Sequence, residues 1–182
     1  MRHSILNDDF FVGLDSSLLP LERAETLPPE CYTDADFYEL EKEALFNHEW
    51  LCLGRESDIP EPGDFFTAHI VDEPIIVVRN KESEIRAMSA VCQHRAMLLA
   101  EGKGNKRAFR CPYHHWTYSL DGNLLKGLAM EETCDFIKED FNLPTFSVET
   151  WLGFIFINFD ESAEPLAPRL EAVTETIAGY DL

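Results

Sequence analysis

Four residues of the types that bind soft metals stand in two short chelating pairs, Cys92-x-His94 and, after sixteen intervening residues, Cys111-x-x-His114. A third histidine, His115, follows the second pair directly. The stretch Val91–Leu124 thus holds two of the chain's five cysteines and three of its six histidines. Thiolate and neutral imidazole together suit zinc, copper and iron–sulfur chemistry. Two bland readings compete with a redox one. Buried free cysteines and scattered histidines are common core residues, and two Cys with two His also make a tetrahedral structural zinc site. The repetition of a close pair speaks against chance. Zinc motifs generally place Cys with Cys in one loop and His with His in the other, whereas each loop here mixes them.

Mixed loops suit a Rieske [2Fe-2S] centre, in which one iron is held by two thiolates and the other by two imidazoles. Two ferric ions, two sulfides and two thiolates are together neutral, whereas a cluster held by four thiolates carries a net charge of about −2. A neutral cluster accepts an electron more readily, so histidine ligation raises the potential into the range of roughly −150 to +300 mV.

The two loops, CQHRA at 92–96 and CPYHHWTYSLDGNL at 111–124, resemble the cluster-binding loops of Rieske non-haem iron oxygenases, the ring-hydroxylating oxygenase α subunits. NHEWLCLGRESDIPEPGDFFT before them and LPTFSVETWLGFIFINF after them are similar to the same N-terminal region, so the resemblance spans most of the chain. It implies that Cys92 and Cys111 hold an inner iron and that His94 and His114 hold an outer iron nearer the surface. The imidazoles would then be the electron exit, with electron transfer coupled to loss or gain of their outer protons. It further implies a ferredoxin or flavin reductase as electron donor. The acceptor would be a mononuclear Fe(II), held by two His and a carboxylate in a C-terminal oxygenase domain, reached across a subunit boundary in a trimer. No histidine follows His115, so that second iron site is expected outside this chain. Family members act on aromatic rings or on quaternary ammonium compounds, and the resemblance leaves both open. A free-standing Rieske electron carrier and a zinc-stabilised interaction module are the alternatives.

Two departures from the family pattern matter. His115 stands where Gly is usual after the second histidine, and Ala96 where Gly is usual after Arg95. A residue with a Cβ is disfavoured at positive φ. Either the turn at His115 is not left-handed, or it carries strain. Respiratory Rieske proteins have an additional disulfide between their loops, and its positions are Met97 and Tyr113 here, so that bridge is impossible. Trp116 replaces a serine hydroxyl that such proteins aim at the cluster. With fewer donors the potential is expected near the low end, roughly −150 to 0 mV. Trp116 has equal claim to shielding the cluster and to ordinary core packing, and Arg95 to balancing cluster charge or to a structural pair. Cys31, Cys52 and Cys134 read as residues without a role, and His48 as part of a packed helix face.

The chain must supply strands that bring the two loop tips together. EIRAMSAV leads into Cys92 and AFR into Cys111, and both have the β-branched and aromatic enrichment of strands. WLCLG, DFFTAHIV, PIIVVRN, HWTYSL, FSVETW and GFIFINF are further strand-length runs, divided by turns at Pro60–Gly63, Asn80–Ser83 and Asp121-Gly122. Spacing this short leaves no room for crossover helices, so the fold is expected to be mainly β, a Rieske-type antiparallel sheet domain with an N-terminal helix and a short C-terminal helix. The N-terminal helix is expected over about Asp34–Glu49 with Thr33 as cap, and the C-terminal one over about Pro165–Ala178. Residues 1–30 read as an extended arm. The expected organisation is an arm and helix over 1–49, the cluster domain over 50–160, and a linker with helix over 161–182.

The 182 residues suit one well-buried domain with extensions, and an apolar share of 45% with thirteen Phe suits a globular core. A formal net charge of −19 argues against a nucleic-acid binder. Between Cys92 and Lys126, however, six cations face only Glu101 and Asp121, a local balance of +4. No signal peptide and no run of 18 apolar residues is visible, so no membrane partner and a cytoplasmic location are expected.

Overall fold

The computed structural model describes residues 6–130 and 132–180. These fall into two compact units, one ending at His48 and one beginning at Glu49.

The first unit is helical. Helix α1 (Asp8–Ser17) occupies the segment expected as an extended arm. Its start is fixed by Asn7, whose side chain accepts from the Phe10 N–H at 3.0 Å, and by Asp8 and Asp9 in the first turn, where negative charge meets the positive end of the helix dipole. Phe10 is its one buried side chain and packs on Phe37, ring centroids 5.7 Å apart. After the single turn α2 (Glu30–Thr33), α3 (Ala35–Glu41) widens into a π turn over Lys42–Phe46, so the helix expected over 34–49 stops short as an α-helix. Its cap is Asp34, which accepts from the N–H groups of Asp36 and Phe37, while the Thr33 hydroxyl bonds back to Pro29 O. His48, expected on a packed face, is exposed.

The second unit carries ten strands, all paired antiparallel: β1 (Leu51–Arg55), β2 (Asp64–Ile70), β3 (Glu73–Arg79), β4 (Ile85–Ser89), β5 (Lys103–Asn105), β6 (Phe109–Arg110), β7 (Thr117–Tyr118), β8 (Leu124–Lys126), β9 (Thr145–Trp151) and β10 (Phe154–Asn158). Seven form one sheet in the order β1-β10-β9-β4-β3-β2-β5, and β6, β7 and β8 form a second. The mainly β, antiparallel expectation holds. Two strands had no visible signal. β5 is Lys-Gly-Asn, exposed throughout, and borrows its order from β2 through Phe65↔Gly104; β8 forms only because the Asp121-Gly122 turn returns the chain onto β7.

Strand β3 shows how one sheet serves two cores. Ile75, Ile76, Val77 and Val78 are all fully buried, and because side chains alternate along a strand, Ile76 and Val78 face one core while Ile75 and Val77 face the other. The first core also contains Phe65, Met88, Phe109, Tyr118, Leu124, Cys92 and Cys111, so the candidate ligand loops grow directly out of it. At the far end of the chain two short helices, α4 (Leu166–Arg169) and α5 (Glu171–Ile177), stand where one was expected. They are tied to β9 by Leu166 N–H to Glu149 Oε2 and by Trp151 Nε1–H to Thr174 Oγ1. Among the described residues no helix is long and apolar enough to cross a membrane.

The β3–β4 hairpin is joined to the small sheet by one buried amide. Asn80 is 1% exposed; its Oδ1 accepts from the N–H groups of Glu82 and Glu84, and its Nδ2 donates to Asp121 Oδ1 at 2.9 Å. Asn80→Ala would leave two N–H groups without their acceptor and remove the amide link to Asp121, which keeps Arg86 at 3.6 Å. Unfolding in urea is expected to show a loss of about 2–3 kcal/mol, and a loss below about 0.5 kcal/mol would deny Asn80 this joining role.

Candidate metal centre

The two ligand loops are built to one plan. Each spans six residues, Cys92–Met97 and Cys111–Trp116, and each is closed by an antiparallel pair, Val91↔Leu98 and Arg110↔Thr117. Within each, the Cys N–H donates to the carbonyl five residues on (Cys92 to Met97, 2.9 Å; Cys111 to Trp116, 2.8 Å). The N–H four residues on returns to the Cys carbonyl (Ala96 to Cys92, 3.0 Å; His115 to Cys111, 3.1 Å). That chain reversal puts the fifth residue of each loop in the left-handed region: Ala96 at φ 52° and His115 at φ 59°. The turn at His115 is therefore left-handed and strained, and so is the one at Ala96.

The plan sets the depth of the donors. Cys92 and Cys111 begin their loops at the core boundary and are each 1% exposed, while His94 and His114 lie further along the loops and are half-buried. The two imidazoles meet edge to face with centroids 4.6 Å apart. In both, Nδ1 is buried without a hydrogen-bond partner. A buried polar atom in that state is costly, and on two neighbouring imidazoles it suits a pair of metal-ligating nitrogens. His115 differs. Its Nδ1 lies 3.2 Å from Cys111 O, so that ring is already engaged with the backbone. Among the described residues, no three His, Cys, Asp or Glu groups converge as they would around a single ion. Two thiols at the core boundary and two imidazoles nearer the surface form a donor set that fits two metals, one by each pair.

Electrostatics favour uncharged donors. Burial pushes the Cys92 thiol above its ordinary range. Burial, helped by nearby His114 and Arg95, pushes His94 below its own. A metal therefore finds His94 neutral and must displace the thiol proton.

Sequence reasoning missed the residue that touches this thiol. The Tyr118 hydroxyl lies 3.4 Å from Cys92 Sγ and accepts from the Gln93 N–H at 3.1 Å. Burial, with the Cys92 contact second, raises its pKa, so it stays protonated and is able to donate to the sulfur once the thiol ionises. The available signal was position: Tyr118 lies two residues beyond Trp116 on β7, facing the same side, and a buried phenol needs a partner. Trp116, expected either to shield the cluster or to pack in the core, is a core residue that also covers one imidazole face. It is 1% exposed and stacks flat on His94, centroids 4.7 Å apart and planes 7° apart. Phe136 and Phe141 back it edge-on, and Gly127 leaves the room: a Cβ there would lie 3.1 Å from Phe136 Cζ. Met97 and Tyr113 are exposed, as are Cys52 and Cys134, while Cys31 is half-buried.

Comparison with known proteins agrees with this geometry. Residues 49–147 match the model of the Rieske [2Fe-2S] domain. The carnitine monooxygenase oxygenase subunit of Acinetobacter baumannii is 38% identical over 159 residues, covering 85% of this chain and 42% of the relative. The benzene 1,2-dioxygenase subunit alpha of Pseudomonas putida is 37% identical over 174 residues, covering 87% of this chain and 39% of the relative. Among solved structures, a quaternary ammonium Rieske monooxygenase in complex with gamma-butyrobetaine superposes with TM-score 0.82 at 35% identity, over 96% of this chain and 48% of the other. A naphthalene 1,2-dioxygenase from Rhodococcus sp. superposes with TM-score 0.79 at 33% identity, over 91% and 38%. The chain spans less than half the length of these relatives. With two paired loops, two buried thiols and two partnerless imidazole nitrogens in a fold shared with such oxygenases, this chain belongs to the Rieske [2Fe-2S] domain family.

Proposed function

We propose that Cys92 and Cys111 bind one iron and His94 and His114, through Nδ1, the other iron of a [2Fe-2S] cluster, and that the chain is the electron relay of a Rieske-type oxygenase. The observation that carries this reading is the pair of buried, partnerless Nδ1 atoms beside two buried thiols on loops of one plan. When bound, such a cluster takes up and releases one electron at a time. The chain's own residues do the rest. The core buries the sulfurs, Trp116 fixes the plane of His94, and Tyr118 holds a proton toward Cys92 Sγ. That hydroxyl stabilises added negative charge on the sulfur, so the potential sits above what the loss of the loop serine alone would give.

The donor is a ferredoxin or flavin reductase, and the acceptor a mononuclear iron in an oxygenase catalytic domain of a neighbouring subunit. An open groove of about 510 Å³ runs beside the first loop, bordered by Met97, Leu98, Ala100, Glu101, Lys106 and Arg110. Its apolar residues, with two cations against the single carboxylate of Glu101, suit an acidic electron carrier. Relatives named for carnitine and for benzene match at 38% and 37% identity. Identity over this region therefore does not separate a quaternary ammonium substrate from an aromatic one.

Iron, sulfide and zinc assays with EPR after dithionite reduction test the assignment. About two irons and two sulfides per chain with a rhombic signal are expected, and one zinc in a colourless protein would overturn it. His114→Cys adds a thiolate charge at the outer iron and should lower the potential by on the order of 100 mV. A potential that does not move would remove His114 from the ligand set.

Tyr118→Phe removes the donor beside Cys92 and should lower the potential by roughly 20–60 mV, the one-electron equivalent of about 0.5–1.5 kcal/mol. No change would mean the hydroxyl does not reach the sulfur in the loaded protein. Reduction by an acidic ferredoxin should slow roughly tenfold or more from low to high salt; a rate insensitive to salt would discard the cationic groove as its docking face.

A further inference from the structure

The second loop carries a feature that the first lacks, although both share one backbone plan. At the strained fifth position the first loop has Ala96, whose methyl makes no hydrogen bond. The second has His115, whose ring returns to the loop's own first carbonyl. Cys111 O therefore receives two donors, the His115 N–H at 3.1 Å and the His115 ring Nδ1 at 3.2 Å. A carbonyl can only accept, so Nδ1 carries the proton and the tautomer follows from the contact. On the other side Thr117 Oγ1 donates to His115 O at 3.1 Å, so the residue is held at its ring and at its carbonyl.

We infer that His115 is a positioning residue: its Nδ1–H clamps the Cys111 carbonyl, offsets the strain of a left-handed residue with a side chain, and thereby fixes the loop that presents His114. The balance of magnitudes is plausible on general grounds. A non-glycine residue in the left-handed region is disfavoured by roughly five- to thirtyfold relative to the right-handed one. One added hydrogen bond recovers a factor of roughly two to ten. The clamp spans from the first residue of the loop to the fifth and so encloses both Cys111 and His114. Loosening it lets the peptide planes between them rock, and the imidazole rocks with them. Only this effect on the cluster rests on the ligand assignment proposed above; the clamp itself is a property of the polypeptide.

Three variants separate donor from shape. Asn at 115 tolerates the left-handed region and offers a side-chain N–H; Asp has the same shape and tolerance but no donor; Ala has neither. Hydrogen exchange at the Cys111 amide, which bonds to Trp116 O, should be roughly five to ten times faster in His115→Ala and His115→Asp than in the wild type, and within about twofold of it in His115→Asn. In the cluster-loaded chain the rhombic EPR signal should broaden in the Ala and Asp variants and return to wild-type width in Asn. Equal exchange in Asn and Asp, or wild-type exchange in Ala, would overturn the clamp. An unbroadened signal in Ala despite faster exchange would overturn its action on His114. A wild-type chain that binds no iron would instead sink the ligand assignment, and the exchange series would still decide the clamp.

Discussion

A loop that leaves a buried strand at a cysteine and must return within six residues has few ways to do so. Here both loops use the same one, pairing the Cys N–H with the fifth carbonyl onward and the Cys carbonyl with the fourth N–H onward. This satisfies backbone groups that would otherwise be buried without partners, and it dictates a left-handed residue at the fifth position. The rest of the domain is arranged to hold two copies of that turn against each other. The Val91↔Leu98 bridge closes one copy at the end of the large sheet and the Arg110↔Thr117 pair closes the other in the small sheet. One core, shared by Phe65, Val78, Phe109, Tyr118 and Leu124, holds both.

The buried thiols make the core an electrostatic problem as well as a packing one. A thiolate transferred from water into an apolar interior is costly unless it is paired or bound to metal. Burial accordingly keeps the Cys92 thiol protonated, and the Tyr118 hydroxyl is the neighbouring group that lowers the cost of its ionised form. The imidazoles lie shallower, and burial favours the uncharged form of His94. Depth and charge thus follow one logic: the groups that would carry negative charge when ionised lie deepest, and the imidazoles lie nearer the surface.

The candidate donor set stood out from spacing alone, because a Cys and a His two or three residues apart, repeated, is rare and chemically pointed. The strands feeding the loops were legible because buried β strands are rich in branched and aromatic residues. What escaped lacked such a signal. β5 is Lys-Gly-Asn, and nothing in an exposed edge strand of three residues distinguishes it from a loop. Helix α1 has one buried residue, Phe10, too few to set up a helical period. Tyr118 and the flat stack of Trp116 on His94 join residues whose approach depends on the register between loops, which spacing along the chain does not encode. At His115 the sequence posed the right alternative, strain or no left-handed turn, and only the backbone could answer it.

The two imidazoles are supported unequally. His94 lies against Trp116, which is itself buried and backed edge-on by the stacked pair Phe136 and Phe141. His114 has on its open side Tyr113, centroids 3.7 Å apart, but that ring is 57% exposed and has two rotatable bonds in solvent. Packing of that kind restrains a neighbour weakly, since an exposed aromatic ring gives up little apolar burial when it swings away. Stiffness at His114 must then come from the backbone beneath it more than from the side chains around it. A ligand whose orientation is set by its loop needs that loop closed firmly, and the second loop is the one in which the strained position carries a polar ring.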